Sequence, residues 1–160
     1  MKYKILLSLC FTLLFSCSGL KNKKKLPWHS QFLPIELQNM YLNMPFKKFC
    51  NVKQTKKMER VENSFRVELS ELTPFPNIRK ITYYIDKENS MPFYEIIIEY
   101  NADFDIKTYL DQKFGPPNKR KEWQFDSKEG FNIKIWIYEH KLVYVGTIKG
   151  TEWFDNDKWQ

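Results

Sequence analysis

Apolar and polar residues alternate along six stretches of this chain, which predicts half-buried β-strands because successive side chains of a strand point to opposite faces. The stretches are 65–69, 81–85, 94–100, 122–126, 131–139 and 142–149. Short links separate most of them, and consecutive strands with short links pair antiparallel. In the fifth stretch the alternating isoleucines are predicted to enter the core and Trp136 to face the other way. These isoleucines are Ile133, Ile135 and Ile137.

Helical spacing appears in two other regions. Apolar residues at 33, 37, 40 and 41 share one helical face, which predicts a short helix over 33–42, and a second short helix is predicted over 45–52. The clearest helix runs from Ile106 to Phe114, after a cap from Asp103 or Asp105, and Gly115 with the following prolines ends it. Together the elements predict an α+β domain, with a short helix pair and one further helix packed on an antiparallel sheet of about five to six strands.

The first residues have the order of a secretory signal peptide. Lys2 and Lys4 make a positive start, and an apolar run from Ile5 to Phe15 follows. A membrane-spanning helix needs about 20 apolar residues, and this run is about half as long. The segment is therefore expected to direct export rather than to span the membrane.

The signal segment ends in Leu14-Phe15-Ser16-Cys17, which resembles the lipobox of bacterial lipoproteins. The resemblance implies that residues 1–16 are removed, that the thiol of Cys17 is acylated, and that the protein is held in the cell envelope by this lipid. By the same resemblance Ser18, in place of the Asp that retains enteric lipoproteins, favours the outer membrane if the host has one. Cleavage at an ordinary small-residue site is the alternative.

Residues 17–30 are interpreted as a lipidated tether, and 31–160 as a single domain. The tether carries Lys21, Lys23, Lys24 and Lys25. These lysines either meet anionic lipid head groups, at about 1 kcal/mol each, or serve as a solubilising spacer.

The net charge of +7 lies mostly outside the predicted domain, because two lysines belong to the signal segment and four to the tether. The remaining domain is nearly balanced, so the basic composition indicates no nucleic-acid-binding face. Of the three cysteines only Cys50 lies in the domain, which leaves it no partner there for a disulfide. Cys50 is interpreted as a small buried hydrophobe, with a reactive thiol as the alternative.

The sequence contains no recognisable catalytic, metal or nucleotide motif, so no cofactor and no metal are expected and an enzyme is not predicted. His29 falls in the predicted tether and His140 in a turn. Asp103 and Asp105 are interpreted as helix caps rather than calcium ligands. Glu95 and Glu99 are interpreted as part of a solvated sheet face.

The remaining indication of function is a group of large aromatic side chains predicted on the outer side of the sheet. Tyr84, Trp136 and Tyr138 are candidate partner-binding residues, because tyrosine and tryptophan combine apolar area with a polar tip. The alternative is that a helix or the aromatic C-terminal tail covers these rings as a second core layer.

The stretch 109–117, followed by Trp123, resembles a pattern in small envelope lipoproteins, in which a helix ends at Gly-x-Pro and a Trp opens the next strand. The BamE (SmpA) lipoproteins of the outer-membrane barrel-assembly machine have this pattern, as do the repeats of beta-lactamase-inhibitor proteins. The resemblance implies a small domain of helices on an antiparallel sheet, and no binding residues are carried over.

We therefore expect a lipid-anchored bacterial envelope protein that acts by protein–protein binding, in an accessory or scaffold role. Its expected partners are the membrane, through the N-terminal lipid, and another envelope protein. A ligand-binding or inhibitor module that uses the aromatic sheet face is the alternative, and a hydrolase without a recognisable motif is the third.

Overall fold

An antiparallel sheet is the framework of the structure, a computed structural model that describes residues 25–87 and 92–156. Its strands are β1 (Met44–Pro45), β2 (Glu59–Glu62), β3 (Arg66–Leu72), β4 (Ile78–Asp86), β5 (Pro92–Tyr100), β6 (Trp123–Asp126), β7 (Asn132–Tyr138) and β8 (Lys141–Gly146). The helices are α1 (Phe46–Val52), α2 (Ile106–Phe114) and α3 (Glu152–Asn156). The strands follow the order β2-β3-β4-β5-β8-β7-β6, and β1 pairs with β5 beside this path.

The predicted α+β class is confirmed, and each of the six alternating stretches contains a strand. The expected number of strands was too low, because the sequence pattern did not indicate β1 or β2. All four residues of β2 are exposed and three of them are charged, so this edge strand has no apolar face to produce an alternation. β1 has two residues, which is too short for any period to show.

The predicted helix over 33–42 is wrong in conformation, although its apolar residues are buried. The chain forms two 3₁₀ turns, Trp28–Phe32 and Ile35–Leu37, and Leu37 and Met40 are fully buried. Pro34 interrupts the segment, and helices this short are marginal without tertiary packing. The second helix of the pair is present as α1.

The longer helix, α2, is built as the sequence predicts. Asp105 caps it by accepting a hydrogen bond from the Thr108 backbone N–H at 3.0 Å. Gly115 follows the helix with φ of +76°, a conformation that favours glycine. The indole N–H of Trp123 donates to the Gly115 carbonyl at 2.7 Å, which joins the end of α2 to the start of β6.

The sheet has two different faces. The inner face packs against α1, α2 and the 3₁₀ turns and forms the core. Fully buried residues of this face in the central strands are Ile81, Tyr83, Ile96, Ile98, Leu142 and Tyr144. The opposite surface, here called the outer face, carries α3 over part of its area. Ile133 and Ile135 are in the core as predicted, at 1% and 0% exposure, whereas Ile137 is half-buried.

The folded domain begins earlier than the predicted boundary at residue 31. His29 is buried in the first 3₁₀ turn, where its Nε2 lies 3.0 Å from the Leu42 carbonyl oxygen. Its ring also contacts Phe131 edge-on, with 5.3 Å between centroids. The tether interpretation of 17–30 is therefore too long at its C-terminal end, and His29 is a core residue.

Candidate functional site

The strand order decides which of the candidate rings are neighbours. Tyr84 lies on β4, whereas Trp136 and Tyr138 lie on β7, and both β5 and β8 run between them. Trp136 and Tyr138 are two residues apart on one strand and therefore share a face. The structure brings these two residues together and places Tyr84 elsewhere on the outer face.

An irregularity in β5 supplies the contacts that hold α3. Tyr84 pairs with Glu95 and Ile85 pairs with Phe93, which leaves Tyr94 as an extra residue of the kind found in a β-bulge. The Tyr94 hydroxyl donates to Glu152 Oε1 at 2.8 Å.

The Arg66 guanidinium and the indole of Trp153 complete the attachment of α3. Arg66 Nη1 donates to Glu152 Oε1 at 2.9 Å, and the indole N–H of Trp153 donates to Glu95 Oε2 at 2.9 Å. The ring of Trp153 meets Trp136 edge-on, with centroids 5.4 Å apart. A short C-terminal helix thus covers the part of the outer face around Trp136 and Glu95.

The aromatic residues of the outer face were interpreted either as a partner-binding surface or as a covered second core layer, and each interpretation holds for some of them. Trp136 is half-buried beside α3, and Tyr84 is half-buried with the Arg66 guanidinium 4.4 Å from its ring centroid. Tyr138 is 58% exposed. A second layer therefore covers the first two rings in part and leaves the third open to solvent.

The interpretation of Glu95 as a solvated carboxylate is wrong, because its residue is 5% exposed beneath α3. The pKa of the Glu95 carboxyl is raised to about 7, and burial is the main cause. The charges of Glu152 and Glu68 act in the same direction, whereas the hydrogen bond from Trp153 and the charge of Arg66 lower this pKa. The carboxyl is thus held near its titration point at neutral pH, inside the contact between sheet and helix.

One end of β7 forms an open sheet edge. Among the described residues, the pairing of β7 with β6 stops at Ile135, so Trp136, Ile137 and Tyr138 have a described strand neighbour on the β8 side alone. We call these three residues the β7 edge patch. It combines main-chain groups at a sheet edge with one half-buried indole and one exposed phenol ring.

A second candidate surface, which the sequence did not predict, is a groove of about 480 Å³ between the second 3₁₀ turn, α2 and the adjacent ends of β4 and β5. We call it the aromatic groove. It is lined by Pro34, Ile35, Glu36, Gln38, Pro76, Asn77, Ile78, Tyr100, Phe104, Tyr109, Gln112 and Lys113. These residues come from four separate segments, so no local pattern joins them. In the sequence, the aromatic residues at 100, 104 and 109 lie close together, and this spacing could have indicated the groove.

The predicted anchor residues Cys17, Lys21, Lys23 and Lys24 lie outside the described residues. Lys25 is the first described residue, and it is exposed.

Cys50 is half-buried on α1 and is a free thiol. Within the described ranges no helix is long and apolar enough to cross a membrane, and no three His, Cys, Asp or Glu side chains are grouped to hold a metal ion.

Comparison with known proteins gives no relative for this chain. No family model, no curated protein and no solved structure matches it.

Proposed function

We propose that this protein is a lipid-anchored binding protein of the bacterial cell envelope, in an accessory or scaffold role. It acts by contacting another envelope protein, and the β7 edge patch is the contact. The observation that supports this proposal is the open edge of β7 beside the 58% exposed ring of Tyr138.

An open edge offers the chemistry of protein recognition. Its free N–H and C=O groups can add a strand from a partner, and side chains next to the edge then give specificity. Natural sheets commonly protect edges with charge, as the opposite edge strand β2 does with Glu59, Arg60 and Glu62. The β7 edge patch has uncharged side chains instead, so it is the more suitable edge for a partner.

Acylation of Cys17 is the first prediction from this proposal. Cys17→Ala should abolish incorporation of labelled palmitate and release the protein from the membrane fraction, because acyl chains supply about 0.8 kcal/mol per buried CH₂. Cys50→Ala is the matched control and should keep both the label and the membrane location. Label in Cys17→Ala at the wild-type level would contradict the anchor.

Membrane sorting is tested with the same material. We propose the outer membrane if the host has one, on the resemblance of Ser18 to the residue that follows the lipidated Cys in sorted lipoproteins. Density-gradient fractionation should place the protein with outer-membrane markers, and location with inner-membrane markers would contradict this assignment.

The contact surface is tested by site-specific photo-crosslinking in the native membrane. A photoreactive phenylalanine at position 138 should crosslink to one envelope protein, and Trp136→Ala should weaken that product. The control position is Leu72, which is 81% exposed and lies on β3, away from the β7 edge. Equal products from positions 72 and 138, or no product from position 138, would refute the edge as the contact.

A further inference from the structure

We propose that the aromatic groove binds a short, uncharged oligosaccharide. This goes beyond the proposed protein contact, because the groove and the β7 edge patch share no residue. Its volume, about 480 Å³, falls within the range of roughly 300–1,000 Å³ typical of small-molecule sites.

A wall of three rings forms one side of the groove. Tyr100 and Phe104 are stacked with centroids 4.6 Å apart and planes 12° apart, and Tyr109 lies 5.9 Å from Phe104. Phe104 and Tyr109 are half-buried, so each keeps part of its ring open to the groove. The C–H faces of a pyranose ring are apolar and stack on aromatic faces, which is the contact that such a wall offers.

Planar polar side chains surround this wall. Glu36, Gln38, Asn77 and Gln112 line the groove. Among the hydrogen bonds of the described residues, none joins these four side chains to another part of the protein, so their polar atoms are available to a ligand. An amide both donates and accepts, as a sugar hydroxyl does, which makes amides suited to a polyhydroxylated ligand.

The charges in the groove favour a neutral ligand. Lys113 is the cation of the lining, and its Nζ donates to the Phe32 and Leu33 carbonyl oxygens at 3.1 and 2.6 Å. Burial lowers the pKa of Lys113 to about 8, so at neutral pH the group is still mainly a cation, and the two carbonyl oxygens already engage it. Glu36 is the carboxylate of the lining. The groove therefore offers no free cation to an anionic ligand.

The test uses the full-length lipidated protein in a detergent without a sugar head group. The probes are the trimer of N-acetylglucosamine and cellotriose, with binding measured by isothermal titration calorimetry. At least one trisaccharide should bind saturably with a dissociation constant below about 1 mM. Absence of saturable binding for both probes would overturn the proposal.

Two variants locate the site without relying on the ring wall, whose replacement would disturb the core. Gln112→Ala removes an exposed amide of the groove lining, and Gln38→Ala removes a half-buried one. Each should weaken binding at least threefold. Lys107→Ala, an exposed change on the same helix outside the groove, should leave binding unchanged, as should Tyr138→Ala on the β7 edge patch.

Binding as strong as that of the wild type in both Gln112→Ala and Gln38→Ala would place the sugar elsewhere and overturn the groove assignment. Displacement of the sugar by a proline-rich peptide at lower concentration would identify a peptide groove instead.

Discussion

Replacing Ile135 with alanine is expected to lower the free energy of unfolding by about 2–5 kcal/mol, the range for truncation of a buried isoleucine. Ile135 is 0% exposed and lies between its register partners Trp123 on β6 and Tyr144 on β8. Both partners are themselves buried and large, so they cannot collapse easily into the space that the side chain leaves. A urea melt of the variant measures the loss directly.

Tyr138→Ala is the matched control for this melt, because it changes an exposed residue of the same strand. Its effect should lie within about 0.5 kcal/mol of zero, as for most surface substitutions. An Ile135→Ala protein as stable as the wild type would contradict the inward orientation of this residue.

The second large effect concerns Glu95 and pH. The pKa of this carboxyl is raised from 4.5 to about 7 in the fold, so between these values the folded protein holds a proton that the unfolded chain has released. The contribution of Glu95 to stability therefore falls as the pH rises from 4.5 to 7, and it is lost a little above pH 7. At 1.36 kcal/mol per pH unit the loss reaches at most about 3 kcal/mol.

Glu95→Gln should remove this pH dependence, because an amide does not titrate and its oxygen can still accept the indole N–H of Trp153. Near pH 8 the variant is expected to be more stable than the wild type, and near pH 5 the two should be similar. Urea melts at several pH values measure both effects. Glu139→Gln, at an exposed carboxylate in the turn after β7, should follow the wild-type curve. Parallel curves for Glu95→Gln and the wild type would show that the burial of this carboxyl does not control stability.

The elements that the sequence predicted well are those whose signal is local. The alternation around Ile135 comes from burial of one face, and the stop after α2 comes from Gly115, so each can be recognised from adjacent residues. The 3₁₀ turns were mistaken for a helix because Leu33 and Leu37 are buried at helical spacing in a different backbone conformation.

The candidate surfaces depend on contacts between distant parts of the chain. Glu95 is buried by a helix that begins at Glu152, and nothing in the residues around β5 indicates that cover. The position of Tyr84 was likewise not predictable from nearby residues. Its separation from Trp136 follows from the pairing of β5 with β8, which places two strands between them. Alternation along one strand predicts which face a residue occupies, but it does not predict which other strands lie beside that residue.

The contacts of the first 3₁₀ turn also set the distance between the start of the described chain and the β7 edge patch. The centroid of the Trp28 ring lies 4.4 Å from the Lys128 ammonium, and His29 packs on Phe131, so this turn lies beside the start of β7. The strand then runs for seven residues, about 20 Å, before it reaches Tyr138. The first 3₁₀ turn therefore contacts one end of β7, and the β7 edge patch lies at the other end.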